Sequence, residues 1–151
     1  MFATTATLND EWAEIATTEI DWYDCPELMH CIDVEDVLAV IPTAPDAILG
    51  YLIGRAQDGD ELATRTITQA FVGKLILMAN STKVRRTNDG FDDLLAALWE
   101  TIITYPLQRR PAKIASNLVL DTVQRNVAFW HTDSHDLELA SGLATLEAAL
   151  I

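Results

Sequence analysis

Phe91, Leu94, Leu95, Leu98, Trp99, Ile102 and Ile103 recur at alternating intervals of three residues and one. That spacing lays a continuous apolar stripe along an α-helix and does not fit the two-residue period of a strand. The helical period recurs through most of the chain. Asn9 and Asp10 suit an N-cap ahead of a short helix bearing Trp12, Ile15 and Ala16. Residues 21–30, with Asp24, Cys25 and Pro26, read as a loop. A short helix over Val34 to Ile41 should end at Pro42 and Pro45, which donate no backbone hydrogen bond. Helical spacing resumes from Asp46 to Gln57. Gly50 and Gly54 share one face there, either as a close helix crossing or as tolerated glycines, and the second reading is preferred.

Asp58-Gly59-Asp60 is a turn, followed over Glu61 to Asn80 by the longest uninterrupted helical pattern. Its second half, Leu75-Ile76-Leu77-Met78-Ala79, is apolar on all sides and predicts a central buried helix. Asn88-Asp89-Gly90 breaks the chain before the helix of Phe91 to Ile103, which Pro106 closes. Pro111 suits the first turn of the next helix, which should run to about Trp130. Ala115, Leu118, Val119, Thr122, Val123 and Trp130 line one of its sides; Arg110, Lys113, Asn117, Asp121 and Gln124 line the other. A last helix is expected over 134–151, through Leu143, Leu146, Leu150 and Ile151. The expected fold class is all-α, a compact bundle of about six to seven helices.

A chain of 151 residues suits one domain. Its charge divides that domain sharply. Residues 1–50 carry 11 Asp and Glu and no Lys or Arg, a balance of −11. Residues 51–130 carry 10 basic and 8 acidic residues, a balance of +2. Residues 131–151 carry 4 acids and no Lys or Arg, completing the net −13. Bulk electrostatics oppose nonspecific binding to nucleic acid or to an anionic membrane, so any nucleic-acid contact must come from the centre. The acidic N-terminal segment is expected to fold over the basic face or to mimic a nucleic-acid backbone. The longest apolar runs fall far short of the roughly 20 residues of a membrane span. Met1-Phe2-Ala3-Thr4-Thr5 has neither the basic start nor the apolar core of a secretion signal, and a cytoplasmic location is expected.

Few residues suggest chemistry. His131-x-Asp133-x-His135-Asp136 has metal-ligand types, but reads better as a polar turn with capping groups. Glu27-x-x-His30 matches half of a di-iron pattern without its second copy. Cys25 and Cys31, beside His30, lack a second ligand pair for zinc and read as reduced, idle thiols. Phosphate loops, nucleophile elbows and Cys-x-x-Cys motifs are absent. No enzyme activity, metal or cofactor is expected. Two basic clusters remain, Lys83-x-Arg85-Arg86 and Arg109-Arg110-x-x-Lys113, with Arg125 farther along. By residue type alone they favour solvated groups balanced by nearby acids; the other reading is a phosphate-facing surface with Tyr105 beside it for base stacking.

The order of elements over 61–130 shifts that balance. A long helix (Glu61 to Asn80) precedes a polar stretch. Asp92-Asp93-Leu94-Leu95 then opens an amphipathic helix, and Ile114-Ala115-Ser116-Asn117-Leu118-Val119-Leu120-Asp121 follows. This series resembles the second region of bacterial sigma factors of the extracytoplasmic-function group, over somewhat less than half of the chain. The resemblance implies that Asp92, Asp93 and Glu100 lie on or near a helix facing core RNA polymerase. It implies that Arg109, Arg110, Lys113, Asn117 and Gln124 lie on a side facing promoter DNA, where Tyr105 is what remains of the family's aromatic-rich segment. The chain departs from the family at Ala96-Ala97, where Gln-Glu is usual, in a shorter connection between Ile103 and Asn117, and in having no helix-turn-helix pattern afterwards. A regulatory, sigma-like module is therefore expected rather than a complete sigma factor. The alternative is an acidic protein–protein or oligomerisation module without nucleic-acid binding, its last helix packing on a second copy or a further domain.

Overall fold

The computed structural model describes residues 5–80 and 90–127. Among these the chain is all-α, with a lone antiparallel bridge between Glu19 and Asp33. Its helices are α1 (Thr5–Ile15), α2 (Val34–Val40), α3 (Pro45–Gln57), α4 (Glu61–Ala79), α5 (Gly90–Thr104) and α6 (Ile114–Val127). The helix expected over 134–151, the His131 to Asp136 segment and the Lys83-x-Arg85-Arg86 cluster lie outside the described residues.

Local chemistry sets several helix ends. Asp33 caps α2 in a reciprocal box with Asp36, each side chain accepting from the other's backbone N–H. Asp60 caps α4 by accepting from the N–H groups of Leu62 and Ala63. Gly59 turns the chain between α3 and α4 at φ +98°, a conformation that strains any residue with a Cβ.

Two helix starts differ from the sequence expectation. The first helix begins at Thr5, so Asn9 and Asp10 lie inside it. Asn9 is engaged elsewhere, its Oδ1 accepting from Gln69 Nε2 at 3.1 Å. The last described helix begins at Ile114, which leaves Pro111 outside its first turn. Lys113, immediately before it, has φ 56°.

Buried side chains from all six helices join one core. The long helices α3, α4 and α5 pack on one another, α6 lies on α3 and α5, and α1 and α2 lie on α4. In α4, Leu75 and Met78 are buried but Leu77 is half exposed, so this helix is not enclosed on every side as its composition suggested. In α5 the core stripe runs through Leu94, Leu95, Leu98 and Ile102 and continues to Tyr105 beyond the helix. Trp99 and Ile103, expected within that stripe, stand 41% and 51% exposed.

The acidic N-terminal segment is fastened to α3 and α4. The indole N–H of Trp22 donates to Asp60 Oδ2 at 3.0 Å, and Arg55 Nε reaches the same oxygen at 2.9 Å. Arg65 donates to the Leu8 carbonyl at 2.6 Å and stands 5.7 Å from the centre of the Trp12 ring. The hydroxyl of Tyr51 donates to Asp24. No described helix is long and apolar enough to cross a membrane.

Candidate functional site

The α5–α6 connection, residues 105–113, carries four of the six residues expected to face DNA, Tyr105, Arg109, Arg110 and Lys113, and α3 holds it at both ends. Gln57 Nε2, at the last residue of α3, donates to the carbonyls of Ile102 (3.1 Å) and Tyr105 (2.8 Å) at the end of α5. Asp46, in the first turn of α3, accepts from the backbone N–H groups of Lys113 (3.1 Å) and Ile114 (3.0 Å). Between these anchors Leu107 lies over Gly50 and Gly54. An added Cβ would meet Ile114 Cδ1 at 3.4 Å at Gly50 and Leu107 Cδ1 at 3.8 Å at Gly54, both ordinary contacts. The bland reading of the two glycines fits these distances.

Inside the connection, Tyr105, Arg110, Asn117 and Asp121 form one polar cluster. The Tyr105 hydroxyl donates to the Arg110 carbonyl at 2.8 Å and accepts from Asn117 Nδ2 at 2.9 Å. Asn117 Nδ2 also reaches the Ala112 carbonyl at 3.0 Å. Arg110 Nη1 pairs with Asp121 Oδ2 at 2.7 Å, and its guanidinium stands 5.4 Å from the Tyr105 ring centre. The hydrogen bond to the Asp121 carboxylate raises the Arg110 pKa further above its ordinary value. Tyr105 is only 3% exposed. Its ring is enclosed rather than presented to an unpaired base, so the stacking role expected of it is corrected to a structural one.

The other residues expected to face DNA divide by exposure. Arg109, Lys113 and Gln124 are exposed, whereas Arg110 and Asn117 are half-buried within the cluster. Asn117 and Gln124 share one side of α6 by spacing, while Lys113 precedes the helix. Farther along α6, Arg125 donates to Thr104 Oγ1 at 2.8 Å and pairs with Glu100 at 3.3 Å. The acidic segment was expected to fold over the basic face or to mimic a nucleic-acid backbone. Within the described residues it instead holds Arg65 from α1, while Asp46 reaches only backbone N–H groups at the start of α6.

Of the residues expected to face polymerase, Asp93 and Glu100 lie on the exposed side of α5 and Asp92 is half-buried. Ala96, Trp99, Ile103 and Thr104 complete that side, and Trp99 is fixed by donating from Nε1 to Thr68 Oγ1 at 3.0 Å. Of the two alanines that depart from the sigma pattern, Ala96 faces solvent and Ala97 is buried.

The thiols are poorly placed for ionisation. Burial, then the neighbouring Glu27 carboxylate, raises the pKa of Cys25; burial, then Asp36 and Asp33, raises that of Cys31. Glu27 and His30 are exposed, and among the described residues no three His, Cys, Asp or Glu side chains are grouped as metal ligands. Sequence reasoning missed Asp46 and Gln57, and the bond of Asp60 to Trp22, because these partners are distant in sequence. It also missed the role of Tyr105, although Leu98, Ile102 and Tyr105 keep the core spacing.

Compared with protein-family models, curated proteins and solved structures, the chain shows no significant match.

Proposed function

We propose that this chain is a sigma-factor-like, transcription-associated module that docks on RNA polymerase through the outward face of α5, in a regulatory capacity rather than as a complete sigma factor. The observation that carries the reading is the composition of that face. Asp93 and Glu100 stand beside Trp99 and Ile103, which remain 41% and 51% exposed on a helix whose opposite side is buried. Large apolar groups flanked by charges are the usual makings of a protein-binding surface. The resemblance over 61–130 assigns polymerase contact to this same helix. Promoter contact is the lesser part: Arg109, Lys113 and Gln124 are exposed, while Tyr105, Arg110 and Asn117 have partners within the cluster.

That same occupation favours a second reading, an acidic protein-binding module without nucleic-acid contact. A phosphate approaching the first turn of α6 would meet the Asp46 carboxylate already bound to its N–H groups. Purified core polymerase separates the two readings. The full chain should bind it, and Asp93→Lys combined with Ile103→Ser should weaken binding by roughly tenfold or more. Failure of the unsubstituted chain to bind core polymerase would sink the sigma-like reading and leave the second.

A further inference from the structure

The most exposed large apolar side chains of the described residues lie on one loop, not on a helix face. Tyr23 is 85% exposed, Met29 73% and Ile32 69%. Scattered single exposures are ordinary on a protein surface, but three within ten residues are a concentration. The loop that carries them is pinned at short intervals. Trp22, Cys25 and Leu28 are 1%, 3% and 2% exposed and enter the core. Trp22 is bonded to Asp60 and Asp24 to Tyr51, while Ile20 N–H donates to the Ile32 carbonyl at 3.0 Å and closes the loop. Tyr23, Met29 and Ile32 thus stand on a backbone already fixed, which lowers the ordering cost of covering them.

Charge identifies what would cover them. Asp21, Asp24 and Glu27 are exposed on the same loop, and residues 1–50 contain no Lys or Arg. The nearby cation, Arg55, is held by Asp60. Nucleic acid and anionic lipid would be repelled by this surface. A second copy would bring the same carboxylates face to face.

We propose that loop 21–32 is a docking surface for a basic protein segment that carries apolar side chains, Tyr23, Met29 and Ile32 receiving the apolar groups and Asp21 and Glu27 the cations. The proposed surface shares no residue with the α5 face, so its variants leave the polymerase-facing side chains unchanged and the two binding activities are measured separately.

The probe is a labelled synthetic amphipathic helix of Leu and Lys, with a Leu/Glu helix as counterpart, titrated with the full chain. Tyr23→Ser, Met29→Ser and Ile32→Ser together, which leave the net charge unchanged, should weaken Leu/Lys binding at least ~tenfold. Tyr23→Ser and Met29→Ser alone should each give part of that loss. Asp21→Asn with Glu27→Gln should flatten the salt dependence. Equal affinity of the triple variant and the unsubstituted chain would overturn the proposal, as would equal binding of the Leu/Glu helix. Self-association in sedimentation that the triple variant abolishes would also overturn it, making a second copy the occupant.

Discussion

The Asp46 carboxylate caps a helix that begins 68 residues downstream, one oxygen accepting from the Lys113 N–H and the other from the Ile114 N–H. The bond joins the acidic N-terminal third to the segment that resembles a sigma region. It also holds Lys113 at φ 56°, where a residue with a Cβ is strained. Asp46→Ala should cost about 1–2 kcal/mol, the usual loss when a side-chain cap is removed, in urea unfolding. Asp46→Asn keeps acceptor capacity and should cost less. Lys113→Gly should be neutral to stabilising by up to ~1 kcal/mol.

Tyr105→Phe removes one oxygen that serves two bonds, to the Arg110 carbonyl and from Asn117. The Asn117 amide retains the Ala112 carbonyl, so it is not left without a partner. A loss of about 1–2 kcal/mol is expected by denaturant unfolding, within the cost of leaving a buried carbonyl unsatisfied. Full stability in the Phe variant would contradict the structural role assigned to this ring.

Helix order was legible because its signals are local. The Asp58-Gly59-Asp60 turn ahead of Glu61, and Pro42 and Pro45 after Val40, place the start of α4 and the end of α2 within a residue or so. The start of α6 was not legible, because Pro111 looks like a first-turn residue while the actual cap comes from α3. The start of α1 was missed for a related reason: Asn9 looks like a cap, yet its side chain answers Gln69 on α4. The candidate site divides the same way. Exposure of Arg109 and Lys113 follows from their residue type, but the enclosure of Tyr105 depends on Arg110, Asn117 and Asp121 closing around it.

Asp60 should govern acid stability in the N-terminal half. Burial raises its pKa, but bonds from Arg55, Trp22 and the Ala63 N–H outweigh this and leave it below the ordinary carboxylate value. A folded pKa below the unfolded one means that Asp60 stabilises the fold above the unfolded value of about 4, and that this is lost as pH falls through the folded value. Asp60→Ala should cost about 2–3 kcal/mol at neutral pH, combining a lost cap with an unsatisfied Trp22 N–H. Asp60→Asn should show a shallower fall in stability between about pH 5 and pH 3 than the unsubstituted chain.

Tyr51 gives a separate alkaline signature. Burial, then its hydrogen bond to Asp24, pushes its pKa up to about 12. The folded value lies above the unfolded one, near 10, so the stabilisation is fully present below about pH 10 and disappears as pH rises through the folded value. The phenolate absorbance of the folded chain minus that of Tyr51→Phe should report this late titration. An ordinary midpoint in that difference would contradict both the burial of this hydroxyl and its bond to Asp24.

Arg109 and Arg110 are adjacent, yet the structure gives them different work. Arg110 is paired with Asp121 and stands over Tyr105, whereas Arg109 is exposed. Arg110→Ala should therefore cost stability, about 1 kcal/mol given the partial exposure of the pair, with loss of the ring contact added. Arg109→Ala with Lys113→Ala should leave stability nearly unchanged and act on nucleic acid instead. Two cations fewer take the net charge from −13 to −15. If this surface meets phosphates, affinity for a short duplex at low salt should fall and its salt slope should drop by about 1–2. The measurement is fluorescence anisotropy of a labelled duplex across a salt series. Equal slopes in the double variant and the unsubstituted chain would remove promoter DNA from the proposed function and leave polymerase docking through α5 to stand alone.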